Sequence, residues 1–165
     1  MNLSIQKAVL SNAAALTALL NETVADLHRR GIRQWESPWD SEEICREIGQ
    51  GRVWAAWGGG TLAGTFSLKP LESAGWLPDS AKPGGQWYLY RVAMHPSRQG
   101  KGEGRTLVQF ACQLAEAAKK DLYLDCWAGN DALRRFYTSA GFDTIGIFPE
   151  ENYKISVFMR SHVRS

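Results

Sequence analysis

At 165 residues, with 19 lysines and arginines against 17 aspartates and glutamates, the chain has the length of one domain and a net charge of only +2. A single domain over residues 1–165 is therefore expected, and bulk charge gives no reason to expect nucleic acid as a partner. No apolar run approaches a membrane span, and the three cysteines, Cys45, Cys112 and Cys126, contain no CxxC pair, which argues against a disulfide framework or a zinc site.

The first residues, Met1 to Lys7, lack the basic then apolar plan of a signal peptide, which points to the cytoplasm. Ser4 to Val9 alternates as a strand does. Ser11 or Asn12 can cap the helix that follows, in which Leu16, Leu20, Val24 and Leu27 fall three or four apart and Arg29-Arg30-Gly31 supplies an end. Ile32 to Trp39 has two tryptophans and no period, and reads either as a flap over a cleft or as a packed connector. Asp40 and Glu43 have capping-box spacing ahead of a short helix with an Ile44/Ile48 ridge, ended by Gly49 and Gly51. Val53 to Trp57, the Gly58-Gly59-Gly60 turn and Thr61 to Leu68 form a hairpin pattern. Pro70 to Gln86, which includes Pro70, Pro78, Pro83, Gly84 and Gly85, reads as a long surface insertion.

Tyr88 to Met94 is a strand that His95-Pro96 closes, because a pre-proline residue is biased to extended geometry and proline cannot continue a ladder. Downstream, Leu107, Val108, Ala111, Leu114, Ala115 and Ala118 mark one apolar face of a helix. Between strand and helix lies Gln99-Gly100-Lys101-Gly102-Glu103-Gly104-Arg105. The three glycines remove Cβ atoms where the first helical N–H groups emerge, and those groups sit at the positive end of the helix dipole, a site suited to phosphate oxygens. Lys101 and Arg105 add cations at the rim. Spacing excludes a Walker A loop, and GxGxG is not the GxGxxG of a dinucleotide fold. A tight glycine turn with no ligand remains the plain alternative.

Asp121 to Trp127 is the next strand and Asn130 to Ser139 the next helix, stopped by Gly141. Phe142 to Phe148 and Tyr153 to Met159 are a last strand pair around Pro149 to Asn152. Cys112 and Cys126 fall among apolar neighbours and are expected as buried thiols.

The QxxGxG run from Gln99 to Gly104, set between strand and helix, resembles the coenzyme A pyrophosphate loop of the GNAT (Gcn5-related) N-acetyltransferase superfamily. Asn130, followed seven residues later by Tyr137 and then by Gly141-Phe142, is similar to that family's second cofactor segment. The resemblance implies an α/β GNAT fold, with a mixed, largely antiparallel sheet whose parallel central strands splay apart, flanked by helices. It also implies an acetyl-CoA-dependent N-acetyltransferase whose acceptor is a small-molecule amine or a protein amino group.

By that resemblance, backbone amides at Val92, Ala93 and Met94 serve the thioester carbonyl, as oxyanion-hole logic asks. Gln99, Gly100, Lys101, Gly102, Gly104 and Arg105 hold the pyrophosphate, Asn130 holds the pantetheine arm, and Tyr137 protonates the departing thiolate. Read without it, Asn130 is a helix N-cap and Tyr137 packs with Phe136 and Phe142. The proton acceptor is not selected among Tyr88, Tyr90, His95, Asp125 and Glu36, and His28 and His162 read as surface groups. Where the family often has an apolar residue, Glu103 must turn outward or repel a pyrophosphate. No nucleophile constellation is present, so direct attack in a ternary complex is expected. A non-catalytic acyl-CoA sensor is the alternative from another class, and the final strand pair leaves a homodimer open.

Overall fold

The computed structural model describes residues 3–31, 39–72, 74–79, 81–150 and 152–163. Its strands are β1 (Ser4–Lys7), β2 (Val53–Gly58), β3 (Thr61–Pro70), β4 (Gln86–Met94), β5 (Asp121–Trp127), β6 (Asp143–Pro149) and β7 (Lys154–Arg160). Its helices are α1 (Ala13–Arg29), α2 (Ser41–Gly49), α3 (Glu103–Ala117) and α4 (Asp131–Ser139). The seven strands form one sheet in the order β1-β2-β3-β4-β5-β7-β6. It is the mixed, largely antiparallel sheet expected from the sequence, with β4 and β5 as the parallel pair.

The chain divides into two compact units, Met1–Ser67 with Arg91–Phe110, and Leu68–Tyr90 with Ala111–Ser165. The boundaries fall inside β3, β4 and α3, so the backbone passes from unit to unit within regular elements.

In the first unit, Leu16, Leu19 and Leu20 of α1 and Ile44 and Ile48 of α2 pack with Val53, Ala55, Leu62 and Ala93. Leu16 is fully buried, as its place on the apolar stripe requires. The β2–β3 hairpin turns through Gly59 and Gly60, both at positive φ, the geometry of a two-residue turn that follows strand twist. Gly64 permits a close approach: a Cβ there would lie 2.8 Å from the Ala93 carbonyl oxygen and 2.6 Å from Met94 Sδ.

Two caps differ from expectation. Asn12 occupies the N-cap of α1, yet its Oδ1 accepts from Val9 N–H at 2.9 Å, because β1 ends at Lys7 and a 3-10 turn, Leu10–Asn12, intervenes. Asp40 caps α2 by accepting from Glu42 N–H, whereas Glu43 does not complete a capping box and instead binds Arg91.

In the second unit, β5 pairs antiparallel with β7 from Leu122↔Arg160 to Trp127↔Ile155. The parallel ladder of β4 and β5 holds only Gln86↔Asp121, Trp87↔Leu122 and Tyr88↔Tyr123, although β4 continues to Met94 and β5 to Trp127. The insertion is shorter than Pro70 to Gln86, because β3 includes Pro70 and β4 starts at Gln86. Leu71, Ala74, Trp76 and Leu77 from it pack against Tyr123, Ile155 and Val157, so this stretch is partly core.

Candidate active site

Each unit holds some of the residues expected at the site. In the first, the end of β4 is shaped by Arg91, a non-glycine residue at φ 51° in the left-handed region. Its guanidinium donates to Glu47 Oε2 at 2.5 Å and to Glu43 Oε1 at 2.7 Å, and lies over the Trp39 ring with Cζ 4.6 Å from its centre. A buried charge is tolerated there because two carboxylates and a ring face surround it. Val92, Ala93 and Met94 follow, Ala93 and Met94 being buried, and His95 N–H donates to the Ala63 carbonyl at 2.8 Å.

His95 caps the 3-10 turn Pro96–Arg98: its Nδ1 accepts from Ser97 N–H at 3.2 Å, and its Nε2 lies 2.6 Å from Glu22 Oε2. That imidazole therefore holds the loop entry together. Gln99 donates to the Met94 carbonyl at 3.1 Å, so its side chain also closes the loop. Glu103 turns onto Arg98, at 3.0 and 2.7 Å, and these hydrogen bonds from the guanidinium hold its carboxyl below the usual range. Glu103 thus has a specific partner in Arg98.

Gly100 and Gly102 both have φ of +80°, and a Cβ at either would meet nothing within 4 Å. Glycine is required there by backbone conformation, and the space beside it is open. Gly104 lies in the first turn of α3, and Lys101 and Arg105 are exposed. Successive amides in such a loop, leading into a helix N-terminus, form an anion-binding concavity.

In the second unit, Asn130 caps α4, with Oδ1 accepting from Leu133 N–H at 3.1 Å. About two helical turns further on, Tyr137 is 5% exposed, its ring edge-on to Phe136 and Phe142 and tilted on Phe158. The packing reading of Tyr137 is borne out, since the ring sits in the core against Phe136, Phe142 and Phe158. Burial, with the charges of Cys126 and Asp125 adding to it, pushes its pKa well up, so the phenol stays protonated near neutrality.

Tyr88 donates to Asp125 Oδ2 at 2.5 Å. Burial raises the Asp125 pKa, Glu150 raises it further, and the Tyr88 hydrogen bond and Lys69 oppose the rise. Tyr88 and Tyr90, two apart on β4 and so on one face, stack 5.6 Å apart. Lys69 of β3 lies over both rings, Nζ 4.8 Å from the centre of Tyr90 and 5.6 Å from that of Tyr88. Of the proton-acceptor candidates, Tyr88 and Asp125 are thus joined, His95 is engaged in the loop, and Glu36 lies outside the described residues.

Sequence reasoning missed Lys69, the Arg91 cluster and the Arg98–Glu103 pair, for which no local spacing gives a signal. His162 is not a loose surface group, because its Nδ1 and backbone N–H both meet Asp121 Oδ1, at 2.8 and 3.1 Å. Cys112 and Cys126 are buried free thiols. Among the described residues no helix is long and apolar enough to cross a membrane.

Residues 17–142 match the model of the Acetyltransferase (GNAT) family, and the chain belongs to that family of acyltransferases. A relative in Bacillus subtilis (strain 168), named uncharacterized N-acetyltransferase YesJ, is 31% identical over 147 residues, covering 84% of this chain and 81% of that protein. N-alpha-acetyltransferase RimI of Mycobacterium tuberculosis (strain ATCC 25618 / H37Rv) is 26% identical over 114 residues, covering 68% of this chain and 66% of its own. Among solved structures, yncA of Salmonella typhimurium with its cofactor acetyl-CoA superposes with a TM-score of 0.77 at 21% identity, over 100% of this chain and 96% of that one.

Proposed function

We propose that the chain, acting as one catalytic domain over residues 1–165 in the cytoplasm, transfers the acetyl group of acetyl-CoA to a primary amine of a small molecule or a protein. Family membership and relatives named N-acetyltransferases support the reaction class. In this reading the amides of Gln99 to Gly104 take the cofactor pyrophosphate, with Lys101 and Arg105 as cations at the rim. Amides of Val92, Ala93 and Met94 serve the thioester carbonyl, and Asn130 serves the pantetheine arm.

The amine nitrogen forms a bond to the thioester carbon, the carbon–sulfur bond breaks, and the thiolate takes the Tyr137 proton. The amine proton goes to the Tyr88–Asp125 pair. The observation that carries this reading is that one unit holds a buried phenol and, at Asp125, a carboxylate that accepts from Tyr88 at 2.5 Å and whose pKa burial raises. A covalent acyl-enzyme on Cys126 is disfavoured, because burial pushes its thiol up to about 12. A homodimer across β6 belongs to the same proposal, supported by the edge position of β6 and the exposure of Ile147, and light scattering tests it.

Thiol release from acetyl-CoA with a panel of primary amines tests the function. Tyr137→Phe should lower kcat by about a hundredfold or more while leaving the acetyl-CoA dissociation constant unchanged. Equal kcat across pH would remove Tyr137 from the mechanism, and cofactor binding without turnover in the wild type would favour the sensor.

A further inference from the structure

The most unusual group near the Tyr88–Asp125 pair is the ammonium of Lys69. Among the described residues it makes no ion pair or hydrogen bond, and it rests on the faces of two stacked tyrosines. Ring faces attract a cation through their quadrupole, and Asp125 and Glu150 bias the same region toward positive charge. The cradle is held in place without Lys69: the Tyr88 hydroxyl is fixed on Asp125, and Tyr90 stacks on Tyr88 with the ring planes 12° apart. A pre-formed seat for an ammonium is thus filled by the chain's own lysine.

We propose that Tyr88, Tyr90 and Asp125 form the subsite for the ammonium of the acceptor, that Lys69 occupies it in the free protein, and that the acceptor is an unbranched primary alkylammonium. The inference rests on the acetyltransferase reading above for what then happens to the amine. A lysine stem reaches the seat with methylenes only, so the seat suits a lysine side chain or a small diamine. An α-amino group, by contrast, brings a branched carbon and a carbonyl. Lys69 and the acceptor compete, so the incoming ammonium displaces Lys69 and arrives beside the carboxylate that receives its proton. Specificity then comes from the two ring faces, while the Asp125 carboxylate favours a cation over a neutral group in the seat.

Calorimetric titration of the whole chain with n-butylammonium chloride tests this, with n-butanol as the neutral isostere. Lys69→Met, which keeps the length of the stem, should bind n-butylammonium about tenfold more tightly than the wild type, and adding Tyr90→Leu should remove the gain. Butanol should bind neither form. Equal affinity in wild type and Lys69→Met, or butanol binding as well as the cation, would overturn the proposal. Thermal melts establish that each variant is folded.

In turnover, Lys69→Met should lower KM for 1,4-diaminobutane or for Nα-acetyl-lysine methylamide, whichever is the better acceptor, and leave alanine amide unaffected. A lysine of purely structural role would change stability without that selective shift. Acetyl-CoA titration separates the two readings. A chain that gains n-butylammonium binding in Lys69→Met yet binds no acetyl-CoA keeps the seat and loses the enzyme. One that turns over acetyl-CoA with no such gain keeps the enzyme and loses the seat.

Discussion

Asp125 sets stability against use. Its folded-state pKa is raised, chiefly by burial, so the proton it prefers to hold favours folding fully below the unfolded carboxylate value. That contribution is lost as pH rises through the folded value, and above it folding must bury a charge. Asp125→Asn keeps an acceptor for Tyr88 without the charge, so it should raise Tm at about pH 8 and leave it unchanged at about pH 3. The same variant should lose turnover, and the wild-type kcat should fall on acidification at a pH above the ordinary carboxylate range, as a pH–rate profile would read. At Gly102 a side chain would be strained by the φ of +80°, and Gly102→Val should abolish acetyl-CoA binding in a calorimetric titration while α3 still forms. Gly102 and Asn130 were legible in the sequence because turn and cap chemistry are local. The Tyr88–Asp125 bond was not, because it joins residues 37 apart through a parallel register that no spacing encodes.

Helix α2 is tied to the end of β4 by the Arg91 side chain as well as by the core that Ile44, Ile48 and Ala93 share. Arg91 reaches both Glu43 and Glu47, and with 9% of the Glu47 side chain exposed, removing the guanidinium takes this ion pair away from a nearly buried carboxylate. Arg91→Ala should therefore cost about 3–5 kcal/mol in urea denaturation, and adding Glu47→Gln should recover part of it. The backbone at Arg91 itself holds strain of about 1–3 kcal/mol, which Gly would relieve while still losing the ion pairs, so Arg91→Gly should fall between wild type and Arg91→Ala. The helices and strands themselves were readable from period and turn residues. What sequence could not supply was the destination of Glu43, whose spacing from Asp40 fits a capping box until a guanidinium 48 residues away competes for it.

On the scale of the molecule, the family fold was legible because two motifs stand in order on correctly typed elements. The division into two units was not, because their boundaries lie inside β3, β4 and α3, where hydrophobic periodicity continues without a break. Each unit still has a core of its own, and Leu16→Ala, which empties a fully buried site in the first, should cost about 2–5 kcal/mol. Ala93 belongs to that first core but is separated from the rest of it in sequence by the whole of residues 68–90. During synthesis, then, the amino-terminal helices and hairpin leave the ribosome before the strand that completes their packing exists. Nascent chains arrested at residue 67 should be cut readily by protease, with protection appearing only once the segment 91–110 has emerged from the exit tunnel.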